Sequence, residues 1–331
     1  MTDILVSESI AGEGLDRLRA EFVTRVDPGL WQDPVRLREA LDGVRALIVR
    51  NQTRVTRELL AAAPSLEVVG RAGVGLDNVD LEAASELGVV VALTPEQNSI
   101  SVAELVIGLI LALARRIPAA DRDTRQGGWK RQAFTGIEIH GRTLGVVGLG
   151  RIGTATAARA RALGMEIVAY DPLLDADSLR VMELGARLLP LDELLAVSDF
   201  VTCHLPETPQ TVRLFNADRF KTMKSTAFFI NTARGGVVDE SALVAALESG
   251  SIAGAALDVR MTEPPEADSL TLALRSMDNV ILLPHIGAFT IEGQRRVVSS
   301  ICRDVGAVLR GEPARHYANF PRPLKTGGRS E

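Results

Sequence analysis

Apolar positions in the first hundred residues follow two alternating patterns. Short continuous runs at 4–6, 47–49, 66–69 and 89–93 have the length and β-branched content of buried strands. Between them, at 15–22, 35–41, 57–63 and 81–87, apolar residues recur every three or four positions, the spacing of one helix face. A strand that is apolar throughout must be covered on both sides. The alternation therefore predicts βαβ units, with a parallel sheet between two layers of helices. Next comes the string Asn98-Ser-Ile-Ser-Val-Ala-Glu104, in which Ser101 and Glu104 have the spacing of a capping box. It predicts a long apolar helix opening at Ser101 and ending near Arg115-Arg116.

A second alternating series follows, with strands expected at 143–147, 167–170, 200–203, 227–230, 253–257 and 280–283. A long helical pattern covers 291–309, and the polar tail 326–331 is expected to be loose. At 331 residues the chain is about twice a typical domain. The pattern thus implies two α/β domains joined by long helices, with a ligand cleft expected between them.

Composition narrows the function classes. A net charge of −5 argues against a nucleic-acid or anionic membrane-surface partner, each of which selects a basic face. Two cysteines, Cys203 and Cys302, far apart and without a CxxC spacing, fit a reducing compartment. The start of the chain lacks the basic and apolar regions of a signal peptide. The charge-free apolar run 105–114 is about half of what a membrane span needs. A cytoplasmic location is expected.

The string Thr143-Leu-Gly-Val-Val-Gly148-Leu-Gly150-Arg-Ile-Gly153 is the strongest chemical signal. An apolar strand leads into its GxGxxG, an alanine-rich helix leads out, and the following strand ends in Asp171. Glycines there serve a tight turn, close approach of backbone to a pyrophosphate, and close helix–strand packing. Helix N-terminal amides meet the negative charge. A carboxylate about 20 residues on accepts the ribose hydroxyls and repels a 2′-phosphate. Since Asp171-Pro-Leu-Leu-Asp175 contains no cation, NAD is expected rather than NADP.

Oxidising an alcohol with a nicotinamide releases a hydride and a proton, and histidine suits the proton. Of His140, His204, His285 and His316, the second and third follow strand patterns, where open α/β sheets bind ligands. His140 and His316 lie in polar surroundings and are expected at the surface. Arg234, in Asn231-Thr-Ala-Arg-Gly-Gly236, also follows a strand and can fork onto a carboxylate. By itself, Glu263 in Thr262-Glu-Pro-Pro265 reads as a loop acid or a catalytic one.

Six strings extend the comparison to nearly the whole chain: Gly70-Arg-Ala-Gly-Val-Gly-Leu-Asp-Asn-Val-Asp80, Asn98-Ser-Ile-Ser-Val-Ala-Glu104, Gly148-Leu-Gly-Arg-Ile-Gly153, Asn231-Thr-Ala-Arg-Gly-Gly-Val-Val-Asp239, Leu257-Asp-Val259 with Glu263-Pro-Pro265, and Pro284-His-Ile-Gly287. From Asp3 to about Pro321 the chain resembles the D-isomer-specific 2-hydroxyacid dehydrogenases, and within them most closely the D-3-phosphoglycerate dehydrogenases. The resemblance implies two doubly wound parallel-sheet domains with the active site in the cleft between them. One is a discontinuous, flavodoxin-like substrate domain of residues 1–99 and 286–331; the other is a Rossmann NAD domain of residues 100–285.

It also implies roles. His285 exchanges the proton, Glu263 orients its ring and favours its charged form, and Arg234 binds the substrate carboxylate and carbonyl. NAD is held by Gly148, Gly150, Arg151, Ile152, Gly153, Asp171, His204, Pro206, Thr232, Ala233, Asp258, His285 and Gly287, and no metal takes part. Substrate meets Arg50, Arg71, Val74, Gly75, Asn98, Arg131 and Arg234, with loop 72–75 as a small anion nest. Three arginines (Arg50, Arg71 and Arg131) favour a substrate with a second anionic group. That makes 3-phosphoglycerate, oxidised to 3-phosphohydroxypyruvate in serine biosynthesis, the expected substrate. Glyoxylate, hydroxypyruvate and sulfolactate are the alternatives, and a co-repressor-like NAD-binding module without turnover is the alternative of another class.

The segment 119–140, with Trp129 and Phe134, is expected at a homodimer interface between NAD domains. The chain stops soon after its last helix, so the regulatory C-terminal domain of many such enzymes is expected to be absent. One departure from the family stands out: its usual aromatic after Asp258-Val259 is Arg260 here, and Met261-Thr262 also differ from its common acidic pattern. Arg260 is expected to face solvent, the alternative being an added positive charge beside the cofactor or the cleft edge.

Overall fold

The computed structural model describes residues 2–95 and 97–319; the expected loose tail 326–331 lies outside them. The chain divides into two compact units. Residues up to Asn98 join those from Thr290 onward in the first, and Ser99–Phe289 form the second.

The first unit holds a parallel sheet of β1 (Ile4–Val6), β2 (Thr24–Val26), β3 (Ala46–Val49), β4 (Val68–Arg71) and β5 (Val90–Ala92), in the order β2-β1-β3-β4-β5. This is the flavodoxin-like order, whose switch point lies between β1 and β3. Side chains alternate across the pleat. Ile4, Val6, Ala46, Ile48, Val68 and Val90 face the helices Glu13–Glu21 and Ile291–Leu309. Leu5, Leu47, Val49, Val69 and Val91 face the other side, against helices beginning at Pro34, Arg57 and Leu81. The last helix among the described residues therefore covers the first sheet, which makes this unit discontinuous.

The second unit holds β6 (Thr143–Val147), β7 (Glu166–Tyr170), β8 (Arg187–Leu188), β9 (Phe200–Cys203), β10 (Phe228–Asn231), β11 (Gly254–Leu257) and β12 (Val280–Leu282). Their order, β12-β11-β10-β9-β6-β7-β8, is the Rossmann order with one added strand. Val147, Val201, Cys203, Phe229 and Leu257 fill one face, and Leu144, Val146, Phe200, Ile230 and Ala256 the other. No helix among the described residues is long and apolar enough to cross a membrane.

Two edge strands, β2 and β8, escape the apolar pattern because Thr24-Arg-Val26 and Arg187-Leu188 are partly exposed. The capping box is corrected: the helix is Ser99–Ala114, so Ser101 is buried within it and Glu104 reaches Arg159 at 3.3 Å. Ser99 and residues 286–289 cluster with the second unit rather than the first. The reason for the latter is Asp258, whose carboxylate accepts the Ile286 and Gly287 amides at 2.8 Å each.

Candidate active site

Because β6, β9, β10, β11 and β12 are parallel neighbours, the loops that follow them share one edge of the sheet. After β6, Gly148 takes φ 93° and donates its N–H to Tyr170 O at 2.8 Å. The helix Arg151–Ala162 starts immediately after Gly150. A Cβ on Gly153 would lie 2.1 Å from the Gly148 oxygen, so only glycine lets this helix pack so near the strand. Asp171 follows β7; its carboxylate accepts the Leu149 N–H at 2.9 Å and the Leu173 N–H at 3.0 Å. Past β10 the buried Thr232 Oγ1 has no hydrogen-bond partner among the described residues. A buried hydroxyl left so is a polar atom for a ligand to satisfy. Glycine loop, helix N-terminus, acid and spare hydroxyl fit a dinucleotide.

After β11, Asp258 is almost wholly buried and accepts not only the two amides above but, through its carbonyl, the His285 N–H at 2.8 Å. Burial pushes its carboxyl above the ordinary value, with the Ile286 and Gly287 amides and the His285 charge opposing. These bonds pin the turn after β12, where His285 adopts the left-handed φ of 58°. A non-glycine residue there is strained and needs such support.

Ring and acid meet directly: His285 Nδ1 lies 2.6 Å from Glu263 Oε2. The other carboxylate oxygen accepts the Arg260 N–H at 3.0 Å. Burial alone would raise the Glu263 carboxyl. Its bond to His285, the Arg260 amide and the charges of His285 and Arg234 outweigh that and hold it below the ordinary value. With Nδ1 engaged, Nε2 is the ring atom left to exchange a proton with a ligand.

Arg234 is placed by Asn231 at the end of β10. The Asn231 side-chain amide donates to Arg234 O at 2.8 Å and accepts the Ala233 N–H at 3.0 Å. His204, after β9, is different. Burial pushes its imidazole down to about 3, so it is neutral at physiological pH, and Nε2 lies 3.1 Å from Thr202 Oγ1. A neutral ring of that kind is a poor proton donor.

Residues 107–287 match the family model described as the NAD binding domain of D-isomer specific 2-hydroxyacid dehydrogenases. The chain belongs to this family. It is 43% identical over 319 residues to D-3-phosphoglycerate dehydrogenase of Archaeoglobus fulgidus, a match covering 96% of this chain and 59% of that one. It thus spans under two thirds of that relative's length. A crystal structure of a Thermus thermophilus protein superposes with TM-score 0.88 at 36% identity, covering 96% of this chain and all of the other. A glyoxylate reductase from Paecilomyes thermophila superposes with TM-score 0.84 at 29% identity, covering 96% and 98%.

In this family member the expected substrate residues fall mostly in the first unit. Arg50 follows β3, at the switch point; its N–H donates to Glu8 Oε1 at 2.8 Å, and its guanidinium bonds Gln294. Burial lowers that guanidinium from its ordinary value and Glu8 opposes the shift. Glu8 itself is buried and also takes the amides of Gln52 and Thr53, so it shapes this loop. Arg71 ends β4, and its guanidinium lies over Gly73 so closely that a Cβ there would meet Nη1 at 1.4 Å. In loop 72–75 the Ala72 and Gly73 amides are used within the chain, on Val49 and Arg71, so the expected nest narrows to Val74 and Gly75. Asn98 Oδ1 is buried with no partner among the described residues. Arg131 belongs to the second unit, exposed in a short turn, Arg131–Phe134. Pro206, in the loop after β9, is also exposed.

Three further corrections concern side chains whose partners are distant in sequence. Arg260 is buried rather than solvated, bonded to Glu240 and Thr271. His316 is not a free surface histidine: Nδ1 lies 3.1 Å from the buried Asp304. A cation does reach the dinucleotide loop, since Arg180 Nη1 donates to Leu149 O at 2.9 Å. The signal for Arg180 was its place nine residues after Asp171, beyond the cation-free string Asp171–Asp175. Glu240 had no signal beyond following the N-cap Asp239.

Proposed function

We propose that the chain is an NAD-dependent D-2-hydroxyacid dehydrogenase acting on 3-phosphoglycerate. The observation that carries the dehydrogenase reading is the 2.6 Å pair of His285 Nδ1 and Glu263, on the same sheet edge as the Gly148–Gly153 loop. NAD, when bound, supplies the hydride acceptor. Gly148, Gly150, Arg151, Ile152 and Gly153 hold its pyrophosphate, and Asp171 its ribose. His204, Pro206, Thr232, Ala233, Asp258 and Gly287 line the rest of its site. His285 Nε2 takes the hydroxyl proton in oxidation and returns it to the carbonyl oxygen in reduction. Glu263 holds the ring and stabilises its charged form. Arg234 forks onto the substrate carboxylate and polarises the neighbouring carbonyl.

Arg50, Arg71 and Arg131 favour a dianionic second group, and Val74, Gly75 and Asn98 supply neutral contacts. Trp129 is 77% exposed in the 119–140 segment, which supports a homodimer through the NAD domains, as does the preference of interfaces for aromatic anchors. A cytoplasmic location completes the proposal.

A substrate panel with NAD(H) tests it: 3-phosphoglycerate, hydroxypyruvate, glyoxylate and sulfolactate, each in its reactive direction. The highest kcat/KM is expected with 3-phosphoglycerate. NADH binding with no turnover on any 2-hydroxy or 2-keto acid would instead mark a binding module.

A further inference from the structure

Arg260 is a buried cation with no place in the proton exchange above. Its Nε and Nη2 each donate to a Glu240 carboxylate oxygen at 2.9 Å, and Nη2 also donates to Thr271 Oγ1 at 3.2 Å. The two side chains are only 7% and 14% exposed. Burial would raise the Glu240 carboxyl, but the Arg260 guanidinium and the Met261 N–H, which it accepts at 2.9 Å, hold it below its ordinary value. One carboxylate therefore fixes residue 260 by its side chain and residue 261 by its backbone. A two-pronged guanidinium–carboxylate pair sets orientation as well as distance. Its desolvation is expensive, so an apolar pair would serve simple packing at least as well.

Position explains the pair better than stability does. The Arg260 N–H donates to Glu263 Oε1 at 3.0 Å, and the other oxygen of that carboxylate holds His285 at 2.6 Å. On its far side Arg260 touches the loop of Arg234: a Cβ on Gly235 would lie 2.0 Å from the Arg260 carbonyl carbon and oxygen. The Arg260 backbone thus lies between the loop carrying the guanidinium and the carboxylate that orients the imidazole.

We propose that the buried Arg260–Glu240 pair is a positioning device that locks the loop from Asp258 to Glu263, so that the Arg260 amide keeps Glu263 in register with His285. The inference rests on the reading of Glu263 and His285 as the acid–base pair. Loosening the lock shifts Glu263 from its ring contact and weakens its hold on the charged imidazole. The pH dependence of turnover, which simple packing leaves unmoved, reports this.

The test compares kcat against pH, in both directions, for wild type, Glu263→Gln, Arg260→Lys and the double variant Arg260→Met/Glu240→Gln. The double variant removes both charges, so none is left buried and unpaired, and the glutamine still accepts the Met261 amide. We expect the double variant to lose about tenfold or more in kcat, as small misplacements do. Its pH limb should move towards that of Glu263→Gln, with NADH affinity within about twofold of wild type. Arg260→Lys keeps the charge without the second prong and should shift the same way by less. It carries the test if the double variant does not fold, as judged by circular dichroism. A limb unmoved in folded Arg260 variants, while Glu263→Gln moves it, overturns the positioning role. A limb unmoved in Glu263→Gln itself overturns the acid–base pair, and the Arg260 inference with it.

Discussion

Replacing Glu263 by glutamine keeps the shape of the residue and removes its charge. At 2.6 Å between Nδ1 and Oε2, the charge centres lie about 4 Å apart, where two unit charges attract by about 4 kcal/mol at an effective dielectric of about 20. Side-chain exposures of 39% and 33% let solvent screen the pair, which leaves about 0.2 to 1 kcal/mol. The substitution removes that attraction, and the pH limb of turnover reports its loss. The direction follows from the charge. The Glu263 carboxyl is held below its ordinary value, so it is ionised at neutral pH and favours imidazolium. Without it, the ring loses its proton at lower pH. Reduction, which needs imidazolium, then fails earlier as pH rises; oxidation, which needs the neutral ring, begins earlier. His285→Ala should lose about 10²–10⁴-fold in kcat, the worth of general acid–base catalysis, while still binding NADH. Steady-state kcat against pH in both directions, with an NADH titration of each variant, checks this. A near-normal kcat in His285→Ala, or limbs that ignore Glu263, would send the proton through another group.

Asp171→Ala should narrow the NAD preference about tenfold or more in kcat/KM: the ribose loses its acceptor, while Arg180, bonded to the neighbouring Leu149 carbonyl, is on hand for a 2′-phosphate. An unchanged NAD/NADP ratio refutes that role. The neutral His204, at about 3 in the folded chain, contributes stability that is full above an unfolded value of about 6.5 and is lost as pH falls from there towards about 3. The loss is at most about 1.4 kcal/mol per pH unit, and His204→Asn should flatten the urea midpoint across that range; equal acid sensitivity contradicts the burial. Wild type should sediment as a dimer at micromolar concentration, and Trp129→Ser should shift it towards monomer; a wild-type monomer refutes the assembly.

Much of the molecule is written in one-dimensional pattern. Both parallel sheets were legible because their central strands are buried on both faces and are therefore apolar runs, while β2 and β8, half-exposed edges, left no such mark. The glycine loop was legible because its geometry demands residues without side chains at fixed spacing, and a Cβ on Gly153 has nowhere to go. His285 and Arg234 stood out because each follows a strand, and parallel strands deliver their ends to one edge.

Pairing was decided by the tertiary structure. Glu263 read alone as a loop acid or a catalyst, and only the folded turn brings it to the His285 ring. Arg260 read as solvated, yet Glu240, twenty residues earlier and on another element, draws it inside. Arg180 lies nine residues beyond Asp171, and only the fold carries it back to the Leu149 carbonyl. Periodicity reports what a residue's own element buries. The partner of a buried charge is chosen by loops that meet at the sheet edge, and no spacing along the chain records that meeting.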